Sequence, residues 1–207
     1  MRVFYVCLII LSCSLSNIFA DQELSQYPYV ITSDGGRYFF LMKSDPNDIY
    51  NREKGTGICY EVTRNGEFKE LWCTKGWYSF KTFLVSATEG EKPIRGHQYL
   101  VRLGNWPRGR KPSANDVGVA FYKNGKLLKL YSTVDLVHNK SAIQLSVSHY
   151  EYLDNRYEPA IECEWVKNQC VFKLVTIDGI HYRFDVKTGQ ILETLPAASL
   201  PLNKSKE

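Results

Sequence analysis

A glycine, then Ile or Val, then any residue, then an aromatic: this pattern occurs three times at equal intervals. The copies are Gly57-Ile58-Cys59-Tyr60, Gly118-Val119-Ala120-Phe121 and Gly179-Ile180-His181-Tyr182, with 61 residues from each glycine to the next. Each copy runs into a turn signal, Asn65-Gly66, Asn124-Gly125 or Thr188-Gly189, and a second apolar stretch follows. Alternating β-branched and aromatic residues broken by Gly-containing turns read as hairpins. Tyr99 also lies 61 residues after Tyr38. The frame therefore takes in the strand before the glycine in two copies, and the third copy is truncated. The fold class this predicts is all-β: an antiparallel meander of repeated hairpins, about three blade-like units. Ile58, Tyr60, Val119, Phe121, Ile180 and Tyr182 are its expected core positions.

The intervening sequence fits that frame. Arg37 to Met42 reads as a largely buried strand, and residues 44–56, rich in Asp, Asn, Pro and Gly, as a loop. Asn65-Gly66 supplies two residues that tolerate positive φ, which predicts a type I′ hairpin turn. Residues 77–85 read as a strand, and Glu89 to Gly96 as a polar loop. Residues 135–138 suggest one helical turn, and Ile143 to Leu153 a further strand. Segments 160–165, 169–175, 180–186 and 190–195 complete the third unit.

A unit of this length with four short antiparallel strands resembles a β-propeller blade. Phe184-Asp185-Val186-Lys187-Thr188-Gly189 is similar to the strand-turn element of such blades, although no repeated Trp-Asp signature accompanies it. Propellers close with about 4–8 blades. Three units must therefore protect their edges by packing as a sandwich, by closing a barrel or by self-association. The chain as a whole also resembles small exported bacterial proteins, which implies a periplasmic or extracellular location and no particular activity.

The N-terminus supports export. Arg2, the apolar run Val3 to Leu11 and a small residue at Ala20 describe a secretory signal over residues 1–20. Lipoprotein processing at Cys13 is the alternative, since Ile10-Leu11-Ser12-Cys13 loosely resembles a lipobox. A lead-in over 21–33, one β-rich domain over 34–195 and a disordered tail over 196–207 follow. No second apolar stretch approaches the ~20 residues of a transmembrane helix. Removing the signal leaves Cys59, Cys73, Cys163 and Cys170, which predicts two disulfides with three pairings open. Local pairing, Cys59 with Cys73 and Cys163 with Cys170, suits two hairpins. A net charge of +4 with mixed signs and no basic block argues against nucleic acid. Zinc would require closer ligand pairs, so neither a metal nor a cofactor is expected.

Candidate chemistry is sparse. His97, His138, His149 and His181 form no H-E-x-x-H motif, and no G-x-S-x-G elbow is present. His181 alternates outward on its strand and reads as solvated. His149, within Ser148-His149-Tyr150-Glu151, is the one histidine set among potential partners, and a structural role competes with a catalytic one. Asp45, Asp48, Glu151 and Asp154 are carboxylates that a glycosidase could draw from distant strands. The best binding candidate is the loop of Trp106 with Arg108, Arg110 and Lys111, an aromatic platform beside three cations. It would suit an anionic glycan, an acidic peptide or a membrane surface, unless Trp106 folds back to cap a sheet. Asn139 and Asn203 open N-glycosylation sequons. The sequence thus favours a non-enzymatic binding or interaction module for an unknown protein or glycan. An exported hydrolase of polysaccharide or peptide, using His149 or the carboxylates, is the alternative, and a structural envelope protein a third reading.

Overall fold

The computed structural model describes residues 26–48, 53–89, 92–154, 161–167 and 169–196. The expected signal segment, Cys13, the sequon at Asn203 and the tail beyond Pro196 lie outside these residues. Three four-stranded antiparallel meanders follow one another along the chain. The first unit comprises β1 (Tyr29–Thr32), β2 (Tyr38–Lys43), β3 (Thr56–Val62) and β4 (Phe68–Lys75). The second comprises β5 (Thr82–Glu89), β6 (Lys92–Leu103), β7 (Val117–Lys123) and β8 (Lys126–Ser132). A connector holds a single helical turn, α1 (Thr133–Leu136), a 3-10 turn (Lys140–Ala142) and the short pair β9 (Gln144–Leu145) and β10 (Tyr150–Glu151). The third unit comprises β11 (Ile161–Val166), β12 (Gln169–Val175), β13 (Ile180–Asp185) and β14 (Ile191–Pro196).

The second unit lies between the other two. On one side Leu84, Leu100, Ala120 and Tyr122 pack with Tyr38, Phe40, Met42 and Cys59 of the first. On the other, Val101, Leu103, Val119 and Phe121 pack with Phe172, Leu174, Tyr182 and Phe184 of the third. Successive side chains of a strand point to opposite faces. A middle sheet must therefore be apolar at every position, and five consecutive β7 residues from Gly118 to Tyr122 are buried. The result is a sandwich-like stack, and no barrel closes among the described residues.

The equal glycine spacing marks the third strand of each unit but not one structural position. Tyr38 pairs with Glu61, whereas Tyr99 pairs with Lys123, so the second unit is shifted by one residue. Gly57 leaves room for the Phe40 ring, Gly118 approaches Leu136, and Gly179 makes a turn at φ 77°. The shift also changes which residues face inward. Val119, Phe121 and Tyr182 are buried and Ile180 packs against them, but in the first unit Cys59 faces the core, leaving Ile58 and Tyr60 half-buried on the outer face.

Other expectations change for local reasons. Asn124 (φ 49°) and Gly125 (φ 77°) are both left-handed, the type I′ condition. At Asn65-Gly66 only the glycine is, at φ 80°. Strands β5 and β6 run through part of the expected 89–96 loop, and β1 lies inside the expected lead-in. The expected strand at 143–153 is broken into two short pieces.

All four described cysteines are free thiols. Cys59 is level with Trp72 and Cys73 with Ile58, so the first two point to opposite faces of their hairpin and cannot bridge. Burial pushes the Cys59 thiol up to about 12. Cys163 and Cys170 share a face as diagonal neighbours, and their hydrogen bond together with burial pushes the Cys163 thiol up.

Candidate functional site

The cleft that gathers the most chemistry lies where the β6–β7 connection meets the connector before unit three. After Leu103 the chain leaves the sheet at Gly104, whose N–H donates to the Gly118 carbonyl at 3.2 Å. A Cβ on Gly104 would collide with the Val117 carbonyl oxygen, so only glycine lets the strand leave β7 at this distance. Residues 107–109 then pair with the connector. Arg108 forms an isolated antiparallel bridge with His149. The Gly109 N–H donates to Ser148 O and the Tyr150 N–H to Pro107 O, both at 3.3 Å. Through this short ladder the Trp106 loop and the His149 strand act as one wall.

Trp106 folds against His149, with ring centroids 3.8 Å apart and planes inclined by 42°. His149 is 3% exposed, and its Nε2 lies 3.0 Å from Glu151 Oε1. Residues i and i+2 of an extended strand share a face, which is how the Ser-His-Tyr-Glu run brings this pair together. The Glu151 side chain is 41% exposed, so its carboxylate reaches the cleft mouth. Asn105 donates from Nδ2 to the Trp77 carbonyl at 3.0 Å, while its Oδ1 is buried without a hydrogen-bond partner. Phe80, 59% exposed, stands on the opposite rim with Ser79 and Lys81. Pro107, Tyr152 and Leu153 complete the lining, and the cleft measures about 210 Å³.

Buried tyrosines hold the floor. Tyr152 donates to the Gly118 carbonyl at 2.8 Å, and Tyr150 donates to Asp116 Oδ2 at 2.8 Å beside Thr133 Oγ1 at 2.6 Å. Burial raises both hydroxyls well above the usual phenol range, and the Asp116 carboxylate adds to the effect on Tyr150. Both therefore serve as neutral donors that fix the connector.

Of the binding residues expected from sequence, Trp106 lines the cleft, partly folded back as the alternative anticipated. Arg108, Arg110 and Lys111 are exposed on the chain that continues from its wall. His149 and Glu151 join them. The other candidates fall elsewhere. Asp45 accepts from the Asn47 N–H and Asp48 pairs with Lys54, both in the β2–β3 loop. Asp154 is fully buried. His97 contacts Asn124 in the turn region, and His138 lies against Tyr182. His181 is half-buried rather than solvated; burial lowers its pKa, and the nearby Asp154 opposes the shift. Asn139 is exposed, and its Oδ1 caps the 3-10 turn through Ser141. Phe80, Asn105 and Tyr152 also line the cleft, and of these only Asn105, beside Trp106, carries a sequence signal. Among the described residues no three His, Cys, Asp or Glu side chains gather to hold a metal, and no helix is long and apolar enough to cross a membrane.

No protein-family model matches the chain, and no curated protein or solved structure gives a significant match.

Proposed function

We propose that this is an exported, non-enzymatic binding module whose cleft under Trp106 takes one ring of an anionic glycan. The observation that carries the reading is the convergence of Trp106, Phe80, Asn105 and the His149–Glu151 pair on one small cleft. Drug-sized ligands occupy pockets of roughly 300–1,000 Å³, so about 210 Å³ suits a single ring. Sugar rings present C–H faces to aromatics and hydroxyl donors to acceptors. Here the aromatics are Trp106 and Phe80, and the acceptors are the Glu151 carboxylate and Asn105 Oδ1. Arginine forks match carboxylate and sulfate geometry, and Arg108, Arg110 and Lys111 follow directly on the cleft wall. An acidic peptide would engage the same cations but leaves the ring-sized recess beneath Trp106 without a role.

A hydrolytic reading draws on one specific feature, the His149 Nε2 to Glu151 contact of 3.0 Å, which is the geometry of a base and its orienting carboxylate. One experiment separates the two. Neutral and anionic oligosaccharides are titrated against the protein by tryptophan fluorescence, and the mixtures are analysed for cleavage products. The binding reading expects saturable quenching by anionic oligomers, loss of at least tenfold in affinity in Trp106→Ala, and intact sugar throughout. Cleavage abolished by His149→Ala would replace it with the hydrolytic reading. Binding that survives Trp106→Ala in a folded protein would remove the cleft from consideration.

A further inference from the structure

The two ends of the stack are chemically opposite. On the outward face of the third unit one cross-strand row reads Glu162, Lys173, Arg183, Glu193. It is bound by ion pairs, Lys173 to Glu162 at 3.4 Å and to Glu164 at 2.6 Å, and Arg183 to Glu164 at 3.2 Å and to Glu193 at 3.4 Å. The two central cations, flanked by Glu162 and Glu193 and bridged by Glu164, finish that end as an ion-paired solvent face.

The first unit ends differently. Its core-facing residues are Tyr38, Phe40, Met42 and Cys59, so alternation turns Phe39, Leu41, Ile58 and Tyr60 outward. The row across all four strands reads Val30, Leu41, Ile58, Cys73, and the next reads Thr32, Phe39, Tyr60, Glu70. Phe39 stacks on Tyr60 at 5.0 Å and meets Phe68 edge-on at 5.2 Å. Val30 is 55% and Phe68 68% exposed. An apolar sheet face of this kind marks an interaction surface.

We infer that this face is covered by the same face of a second copy of the chain, giving a twofold dimer of stacked sheets. The charges select the occupant. Seating the apolar face on the third unit's outer face would strip water from the Glu162–Glu193 ion-pair row without replacing it. That heterologous contact, which would build a fibre, is therefore disfavoured, and like on like closes as a dimer. Within the face, Lys43 and Lys75 lie at one end of the strands and Glu70 toward the other. A twofold axis perpendicular to the strands brings Lys75 of one copy toward Glu70 of its partner. Sheet-on-sheet packing is also how this chain already joins its own units, across both faces of the second.

The area sets the strength. Four strands at ~4.8 Å spacing, averaging about six residues at ~3.3 Å rise, give a face of roughly 400 Å² per copy. That is below the ~800 Å² per partner of a standard interface, in the weak and transient class. A weak dimer, populated only at high protein concentration, is expected.

The test is sedimentation of the full chain from ~1 to ~500 μM under reducing conditions, alongside Phe68→Glu and Leu127→Glu. The expected result is a mass rising toward the dimer in the wild type and weakened at least ~30-fold in Phe68→Glu. Leu127→Glu, which alters an exposed apolar residue on β8 (53% exposed), should associate like wild type. Alkylation of Cys73, on the same face, should also slow as wild-type concentration rises, a readout that needs no variant. A wild type that remains monomeric, or association that survives Phe68→Glu and fails in Leu127→Glu, would overturn the inference. This holds whether or not the Trp106 cleft binds a glycan.

Discussion

Gly104→Ala offers the sharpest check on how the fold makes the cleft. A Cβ at residue 104 would overlap the Val117 carbonyl oxygen, which belongs to β7 in the middle of the stack and has no freedom to retreat. The 104–107 segment must move instead. Doing so loosens the Gly104 N–H to Gly118 O bond of 3.2 Å and the Ser79 Oγ to Gly104 O contact of 3.5 Å. It also disturbs the fully enclosed Tyr152 hydroxyl, which donates to Gly118 O at 2.8 Å. One ordinary hydrogen bond is worth about 1 kcal/mol, and a buried hydroxyl left unsatisfied costs about 1–3 kcal/mol. The sum is about 2–4 kcal/mol, or roughly 5–12 °C in Tm for a domain of this size. Urea denaturation followed by circular dichroism measures it. Gly66→Ala is the control: Gly66 has φ 80° but open space around it, so its cost is the backbone term alone, about 1 kcal/mol. Because Trp106 lies two residues on, Gly104→Ala should also shift its fluorescence in the folded state, which Gly66→Ala should not. A Gly104→Ala protein within ~0.5 kcal/mol of wild type, with an unchanged spectrum, would show that the segment leaves β7 along a different path.

Two further predictions concern titration and reactivity. Burial pushes the Tyr29 and Tyr182 hydroxyls up to about 12. Their unfolded forms lose a proton near 10, so stability is full below that pH and falls as pH rises toward 12, by about 1 kcal/mol for each at pH 11. Urea midpoints at pH 8 and 11 test this, and equal stability at both would contradict it. For the thiols, iodoacetamide at low protein concentration should modify exposed Cys73 within minutes, while buried Cys59 and Cys170 react only on unfolding. A Cys59–Cys73 cross-link in the peptide map would refute the strand register.

The three-unit meander was legible because strand alternation and Gly turns are local. Val119, Phe121 and Tyr182 reached the core as their spacing implied. What the repeat hid was face. A one-residue slip reverses every side chain of a strand, and the register differs by one between Tyr38–Glu61 and Tyr99–Lys123. In the β3–β4 pair a β-bulge between Cys59 and Tyr60 put Cys59 and Cys73 on opposite sides and undid the expected disulfide. The site was half legible. Trp106 stood out by composition, and His149 by its neighbours. Their contact was not readable, because it depends on a two-residue bridge between segments some forty residues apart in the chain.

The location of the cleft follows from what the repeat lacks. Strand pairs within a unit are satisfied by the unit itself, and the faces of the middle unit are filled by its neighbours. Side chains on those strands are committed to packing. The connector from Thr133 to Asp154 has no counterpart in the passage from the first unit to the second, where Gly76 to Lys81 suffices. Its own pair β9–β10 is too short to be stable alone. It is held instead by Tyr150 on Asp116, by Tyr152 on Gly118, and by the bridge to Arg108. Those anchors all grip the β6–β7 connection or the strands it joins, so the connector can only lie beside the Trp106 loop. The chain therefore places the His149–Glu151 pair at a strand mouth, against the loop built on Trp106 and its run of cations. Moving either partner would require rebuilding the junction between the second and third units, which is why Gly104 and Tyr152, neither of them a ligand group, control the shape of the cleft.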